Sequence, residues 1–197
     1  VFDLPHLPAS WLIITQARLK SKPQPASEDK DVIELGKKAP DFTLPATGGG
    51  AFEGAKLITP EGNLTLSQAR PKAVVLYFYP KDNTPGCTTE AIDFTHLADE
   101  FASAGAVVIG VSKDSLKKHE NFCAKHDLGI YLASDDAGET CENYGVWAEK
   151  SMYGKTFWGI VRATYLIDGT GCVARVWPKV KVKGHAAEVL EAVRAGT

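Results

Sequence analysis

The residue with the greatest chemical reach in this chain is Cys87. It stands in the run Pro80-Lys81-Asp82-Asn83-Thr84-Pro85-Gly86-Cys87-Thr88-Thr89-Glu90, which is polar and has no apolar pattern of its own. A cysteine kept for packing belongs inside an apolar run, and this one belongs to a turn. If a helix begins here, Cys87 lies among unpaired N–H groups at the positive end of the helix dipole. That environment favours the thiolate, the nucleophilic form of sulfur. Thr84 lies one turn earlier, within reach of the sulfur for its hydroxyl. Arg162 is the second chemical residue. It follows Gly159-Ile160-Val161 and precedes the apolar Ala163-Thr164-Tyr165-Leu166-Ile167, an odd place for a permanent charge without a partner. A guanidinium beside Cys87 would stabilise negative charge on sulfur or on a departing group.

The flanking elements predict how Cys87 is held. Ala73 to Tyr79 is a continuous apolar and aromatic run, the pattern of a strand buried on both faces. Ala91, Phe94, Leu97, Ala98 and Phe101 recur at spacings of three and four, which predicts a helix over about 88–103. Pro80 and Pro85-Gly86 punctuate the turn between them. Further strands are expected at 106–111, 130–132, 163–167 and 173–177, and helices at 115–126, 137–144 and 185–194. Asp114 or Ser115 should cap the helix at 115. Phe42 to Ala46 reads as a short strand, Thr47 to Gly50 as a flexible turn, and Pro60 to Asn63 as a hairpin tip. The order implies an α/β fold, a central mixed sheet flanked by helices.

Composition narrows the function. The chain has 197 residues, 22 basic and 24 acidic, for a net charge of −2, with no block of like charge. Neither nucleic acid nor an anionic membrane is an expected partner. Four cysteines stand at 87, 123, 141 and 172, with no C-x-x-C pair, so neither a paired-cysteine metal site nor a disulfide scaffold is expected. A reducing, cytoplasmic compartment fits better. Trp11 to Ile14 is too short to span a bilayer, and Ser21 to Asp31 has the composition of a linker. Residues 1–36 are expected to be an appendage, and 37–197 the domain.

Pro80-x-x-x-Thr84-x-x-Cys87-Thr88-x-Glu90 resembles the active-site signature of the peroxiredoxins. Val75 to Thr88, Arg162 to Asp168, Tyr144-Gly-Val-Trp147 and Met152-Tyr-Gly-Lys155 are similar to the branch called peroxiredoxin Q or bacterioferritin comigratory protein. The resemblance implies a thioredoxin-like fold, no cofactor, and reduction of hydrogen peroxide and organic hydroperoxides. It also implies that Cys87 becomes a sulfenic acid and that thioredoxin or a similar dithiol closes the cycle. Relatives in this branch are often monomers. The implied roles are Cys87 as nucleophile, Thr84 bonding sulfur or peroxide oxygen, Arg162 holding the departing oxygen, and Pro80 fixing the loop and shielding sulfur. A carboxylate disfavours a neighbouring thiolate, so Glu90 is expected to orient Arg162 rather than touch sulfur.

Many members of the branch carry a second, resolving cysteine five positions on, which here is Ile92. Others place it on the next helix, and this chain offers Cys123. Leu116 and Cys123 are seven apart, hence on one helix face, expected to point inwards. A Cys87–Cys123 disulfide then requires local unwinding, because the two Cα atoms must come within about 7 Å. A single-cysteine peroxidase using an outside thiol, and a thiol redox sensor or relay, stay open as alternatives. Cys141 and Cys172 read as passive thiols. Trp147, Tyr153, Phe157 and Trp158 are expected to line the core or the site more than to dock a partner.

Overall fold

Seven strands form the central sheet in a computed structural model that describes residues 33–52, 56–152 and 154–196. They are β1 (Thr43–Gly48), β2 (Asn63–Thr65), β3 (Ala73–Phe78), β4 (Ala106–Ser112), β5 (Tyr131–Ser134), β8 (Ala163–Ile167) and β9 (Val173–Trp177). β6 (Trp147–Met152) and β7 (Lys155–Ile160) pair as a separate hairpin. The helices are α1 (Pro85–His96), α2 (Ala98–Ser103), α3 (Leu116–His126), α4 (Glu139–Asn143) and α5 (His185–Arg194). The sheet runs β2-β1-β5-β4-β3-β8-β9, parallel through β5, β4 and β3 and antiparallel elsewhere. This is the mixed sheet with flanking helices expected of a thioredoxin-like α/β fold. The central strands β3, β4 and β5 are buried along almost their whole length, as continuous apolar runs must be.

Alternate residues of β3 serve opposite layers. Tyr77 stacks on Phe94 of α1, and Tyr79, two residues on and so on the same face, meets His119 of α3. Helices α1 and α3 therefore cover the same face of the sheet. Phe78 points the other way, against Tyr144 and Tyr165. Tyr77 lies across β4 only because its register partner there is Gly110: a Cβ at 110 would stand 2.5 Å from the ring.

Several boundaries differ from the sequence expectation. The predicted helix over 88–103 starts earlier, at Pro85, whose fixed φ suits a first helical position. It also breaks at Leu97 into α1 and α2. Thr95 donates its hydroxyl back to Ala91 O at 2.8 Å, a local bond that bends helices. Thr47 and Gly48 are strand rather than turn, paired with Leu132 and Tyr131 of β5. Gly48 is required there, with φ at +83° and room for no Cβ, which would lie 2.2 Å from Ile130 O. The hairpin β6–β7 has no counterpart in the expected elements. Its sequence lacks a strong turn dipeptide and alternates only weakly.

The N-terminal appendage falls largely on residues outside those described. Ile33 already packs against the core, and Gly36 N–H donates to Val173 O at 2.8 Å. Among the described residues no helix is long and apolar enough to cross a membrane.

Candidate active site

The register of β3 builds the site. Phe78 pairs with Ala163 of β8, so the exit of β3 and the entry to β8 lie side by side. The loop from Tyr79 to Thr84 and residue Arg162 are thereby brought together from positions far apart in sequence. Arg162 is anchored through its main chain, since its carbonyl accepts from Val180 N at 3.0 Å and the preceding Val161 N donates to Val146 O at 2.7 Å. Thr84 is the N-cap of α1, which puts Cys87 at the third helical position. Pro85 has no N–H, and the amides of Gly86 and Cys87 fall in the first turn, where no preceding helical carbonyl exists to receive them. They are donors available to an oxygen near sulfur.

The Cys87 side chain is buried, and Arg162 Nη2 donates to its Sγ at 3.1 Å. Nη1 of the same guanidinium bonds Glu90 Oε2. One planar fork thus spans sulfur and carboxylate, with Glu90 fixing the arginine rather than the thiol. The Glu90 side chain is 1% exposed and that of Arg162 16%. Burial pushes the Glu90 carboxyl up to about 7, and the guanidinium charge pulls against that rise. The proximity of Glu90 and Cys87 outweighs burial for Arg162, whose pKa is raised. A cation held against a buried sulfur stabilises negative charge there and on an oxygen leaving from it.

Of the two partners expected for the Thr84 hydroxyl, the structure shows no bond to sulfur. The hydroxyl donates instead to Lys81 O at 2.9 Å. The proton is engaged, and the oxygen lone pairs are left to accept from a substrate O–H. Pro80 is exposed where β3 gives way to the loop. Cys123 lies in the last turn of α3, half-buried, and all four cysteines are free thiols. The buried face of α3 is centred on His119 and Phe122, so Leu116 and Cys123 flank it instead of pointing straight in. Burial, with the nearby Asp82 charge, pushes the Cys123 thiol up to about 11. Cys141 is fully buried and raised further by the same cause. Of the expected site residues, the structure joins Cys87, Arg162 and Glu90 in direct contact and leaves Cys123 on a neighbouring helix.

A sequence model described as the AhpC/TSA family matches residues 35–176. The chain belongs to the AhpC/TSA family. It is 45% identical over 162 residues to "Peroxiredoxin Bcp" of Bacillus subtilis, covering 82% of this chain and 96% of that protein. Among solved structures it is similar to peroxiredoxin Q of Xanthomonas campestris, at 44% identity and a TM-score of 0.69, over 79% of this chain and 90% of that one. A structure of Xanthomonas campestris bacterioferritin comigratory protein, concerned with that protein's alkyl peroxide reduction activity, matches at 42% identity and a TM-score of 0.68, over 78% of this chain and 90% of that one. The chain is thus a peroxiredoxin, an enzyme that reduces peroxides at the expense of a thiol.

Sequence reasoning missed other groups around the peroxiredoxin site. Lys150 on β6 bonds Ile160 O and feels both Cys87 and Arg162. Burial, then the arginine charge, lower its pKa. The Tyr77 hydroxyl is buried without a partner, and its pKa is raised well above the usual value by burial and by Glu90, Cys87, Cys123 and Asp82. Asp82 and His119 form a buried pair at 2.8 Å. For these, only the i,i+4 spacing of His119 and Cys123 was a signal available in the sequence. The aromatic hairpin is mixed: Trp147 and Trp158 are half-buried, while Phe157 is 42% exposed.

Proposed function

We propose that Cys87 attacks the terminal oxygen of hydrogen peroxide or an organic hydroperoxide. A sulfur–oxygen bond forms, the O–O bond breaks, and the other oxygen leaves as water or an alcohol once protonated. Arg162 holds the thiolate and the developing charge, Glu90 holds Arg162, and Thr84 Oγ1 accepts a hydrogen bond from the peroxide O–H. Pro80 fixes the entry to the loop and covers the approach to sulfur. The resulting Cys87 sulfenic acid condenses with Cys123 to an intramolecular disulfide, which thioredoxin or a similar dithiol reduces. The observation that carries the peroxide step is the guanidinium fork, 3.1 Å from Sγ on one arm and on Glu90 with the other.

Because α1 and α3 are both intact helices, condensation requires part of α3 or the first turn of α1 to unwind. The chain works as a monomer in a reducing compartment such as the cytoplasm, with residues 1–36 as an appendage. In support, Leu35 and Phe157 are the only large apolar side chains exposed among the described residues.

A non-reducing peptide map after one equivalent of hydrogen peroxide tests this reading. A Cys87–Cys123 crosslink is expected. Cys87 recovered as sulfenic or sulfinic acid with Cys123 free would make this a single-cysteine enzyme using an outside thiol. No oxidation at Cys87 would remove the proposed site.

A further inference from the structure

Behind the Cys87 loop lies a buried acid–imidazole pair that peroxide chemistry does not use. His119 is wholly buried on α3, and its Nδ1 is 2.8 Å from Asp82 Oδ2. Asp82 is 6% exposed, accepts from the Tyr79 hydroxyl at 2.8 Å, and donates its own N–H to Asp114 Oδ2 at 2.7 Å. A carboxylate only accepts, so the proton of the Asp82–His119 bond sits on Nδ1. The other nitrogen, Nε2, is buried with no partner. For filling space alone an apolar ring would serve better, because an orphaned polar atom is costly.

The location of the pair gives it a use. Asp82 belongs to the loop that leads into Cys87. His119 is one turn before Cys123 on the same helix, hence on the same face. The bond therefore ties together the two segments that carry the two cysteines. A second tie through Asn83 Oδ1 reaches Lys125 at 3.1 Å and His126 at 3.3 Å, but it is exposed to water and correspondingly weak.

We propose that Asp82 and His119 are positioning residues for the resolving step: their bond latches α3 onto the Cys87 loop and sets how often Cys123 is released. This rests on Cys123 as the resolving thiol. In that step a sulfur–sulfur bond forms and the Cys87 S–O bond breaks. The hydroxyl leaves as water with the Cys123 thiol proton; Cys87 sulfur is reduced and Cys123 sulfur oxidised. A second peroxide competes, carrying the sulfenic acid to the irreversible sulfinic acid. A tight latch prolongs the sulfenic acid and raises the sulfinate yield; a loose one lowers it.

The test uses the full chain with His119→Leu, which removes the donor, and His119→Asn, which returns an amide donor near the Nδ1 position. Hydrogen exchange is measured by mass spectrometry on the reduced protein, and sulfinate at Cys87 is measured after excess hydrogen peroxide. In His119→Leu the amides of 116–126 should exchange about 10- to 150-fold faster, the range set by losing one hydrogen bond to a charged group. Those of β4 and β8 should not change, the sulfinate yield should fall, and His119→Asn should move both readouts back. Unchanged exchange in α3 overturns the latch. So does equal acceleration in β4 and β8, which marks a merely structural role, or a loosened α3 with an unaltered sulfinate yield. A wild-type protein that forms no Cys87–Cys123 crosslink overturns the proposal through the reading beneath it. That failure is recognisable because α3 exchange still responds to His119→Leu.

Discussion

Replacing Arg162 by methionine separates what the guanidinium does for the reaction from what it does for the fold. The variant keeps a long, half-buried side chain and loses two bonds, the 3.1 Å contact with Cys87 Sγ and the contact with Glu90. A hydrogen bond to a charged group contributes about 1.5–3 kcal/mol net, so losing the sulfur contact alone should slow Cys87 oxidation roughly 10- to 150-fold. Losing the counter-charge for the departing oxygen adds to that. For the fold, removing one partner of a buried ion pair costs about 3–5 kcal/mol when the other must stay charged. Glu90 has an escape, because burial already holds its carboxyl at about 7 and without the arginine it goes higher still. It takes up a proton instead of remaining a lone buried charge.

The stability loss should therefore be modest at pH 6 and grow towards pH 9. The sign follows from linkage: a carboxyl whose folded pKa lies above its unfolded one binds its proton more tightly when folded, so stability falls as pH rises between the two values. Stopped-flow tryptophan fluorescence on a single turnover gives the rate, and urea titration at pH 6 and pH 9 gives the stability. Combining Arg162→Met with Glu90→Gln should recover stability at pH 9 and leave oxidation slow. A single variant oxidised within about threefold of wild type would refute the argument, since the smallest hydrogen-bond effect invoked is about tenfold.

Glu90→Gln alone should slow Cys87 oxidation by loosening the arginine, and unchanged kinetics would remove the orienting role. The same variant should also abolish the fall in urea stability that wild-type Glu90 imposes as pH rises from its ordinary 4.5 to about 7. Thr84→Val keeps the shape and removes the hydroxyl that bonds Lys81 O, so a loss of about 1 kcal/mol in stability and about tenfold in Cys87 oxidation is expected from urea titration and stopped flow. Cys123→Ser should leave a sulfenic acid at Cys87 that dimedone traps after one equivalent of peroxide, where the wild type gives a disulfide; trapping at equal yield in both would deny Cys123 its role.

How far the site could be read from the sequence depended on chain distance. The β3–turn–α1 unit carrying Cys87 was legible because a buried strand, two prolines and an amphipathic stripe are local signals. Arg162 was legible as an isolated charge between apolar runs and its contact with Glu90 was expected, but the pairing of Phe78 with Ala163 that brings the two together is encoded by no local pattern. The Thr84 hydroxyl was expected to bond sulfur or a peroxide oxygen, and its donation to Lys81 O leaves only its lone pairs for the second of these. The strand at Thr47-Gly48 went unread because glycine there signals a turn by propensity, whereas Ile130 O closes the space above it. Leu116 and Cys123 do share a face, but seven-residue spacing fixes a shared face and not which way it points. His119 and Phe122 settled that.

The packing of α3 suppresses Cys123 twice, and both restraints have the same release. The first is conformational, since α3 is an intact helix through Cys123 and the disulfide proposed above requires it or α1 to unwind. Reactivity is the second: with its pKa raised from 9.0 to about 11, Cys123 has about 100-fold less thiolate at neutral pH than an unperturbed thiol. The greater basicity of such a thiolate offsets only part of this, because nucleophilicity rises with pKa by less than half of a power of ten per unit. On the proposed cycle, lifting α3 from the loop would remove both the burial and the Asp82 charge that raise the thiol, so the motion that would bring Cys123 within reach would also restore its ionisation. Before that motion Cys123 stays largely protonated, which would protect it from direct attack by peroxide and leave Cys87, beside Arg162, as the proposed first target. Alkylation of Cys123 by iodoacetamide in the reduced protein should therefore accelerate in His119→Leu in proportion to α3 exchange. A Cys123 that alkylates at the rate of a free thiol in the wild type would show that the helix restrains its position alone.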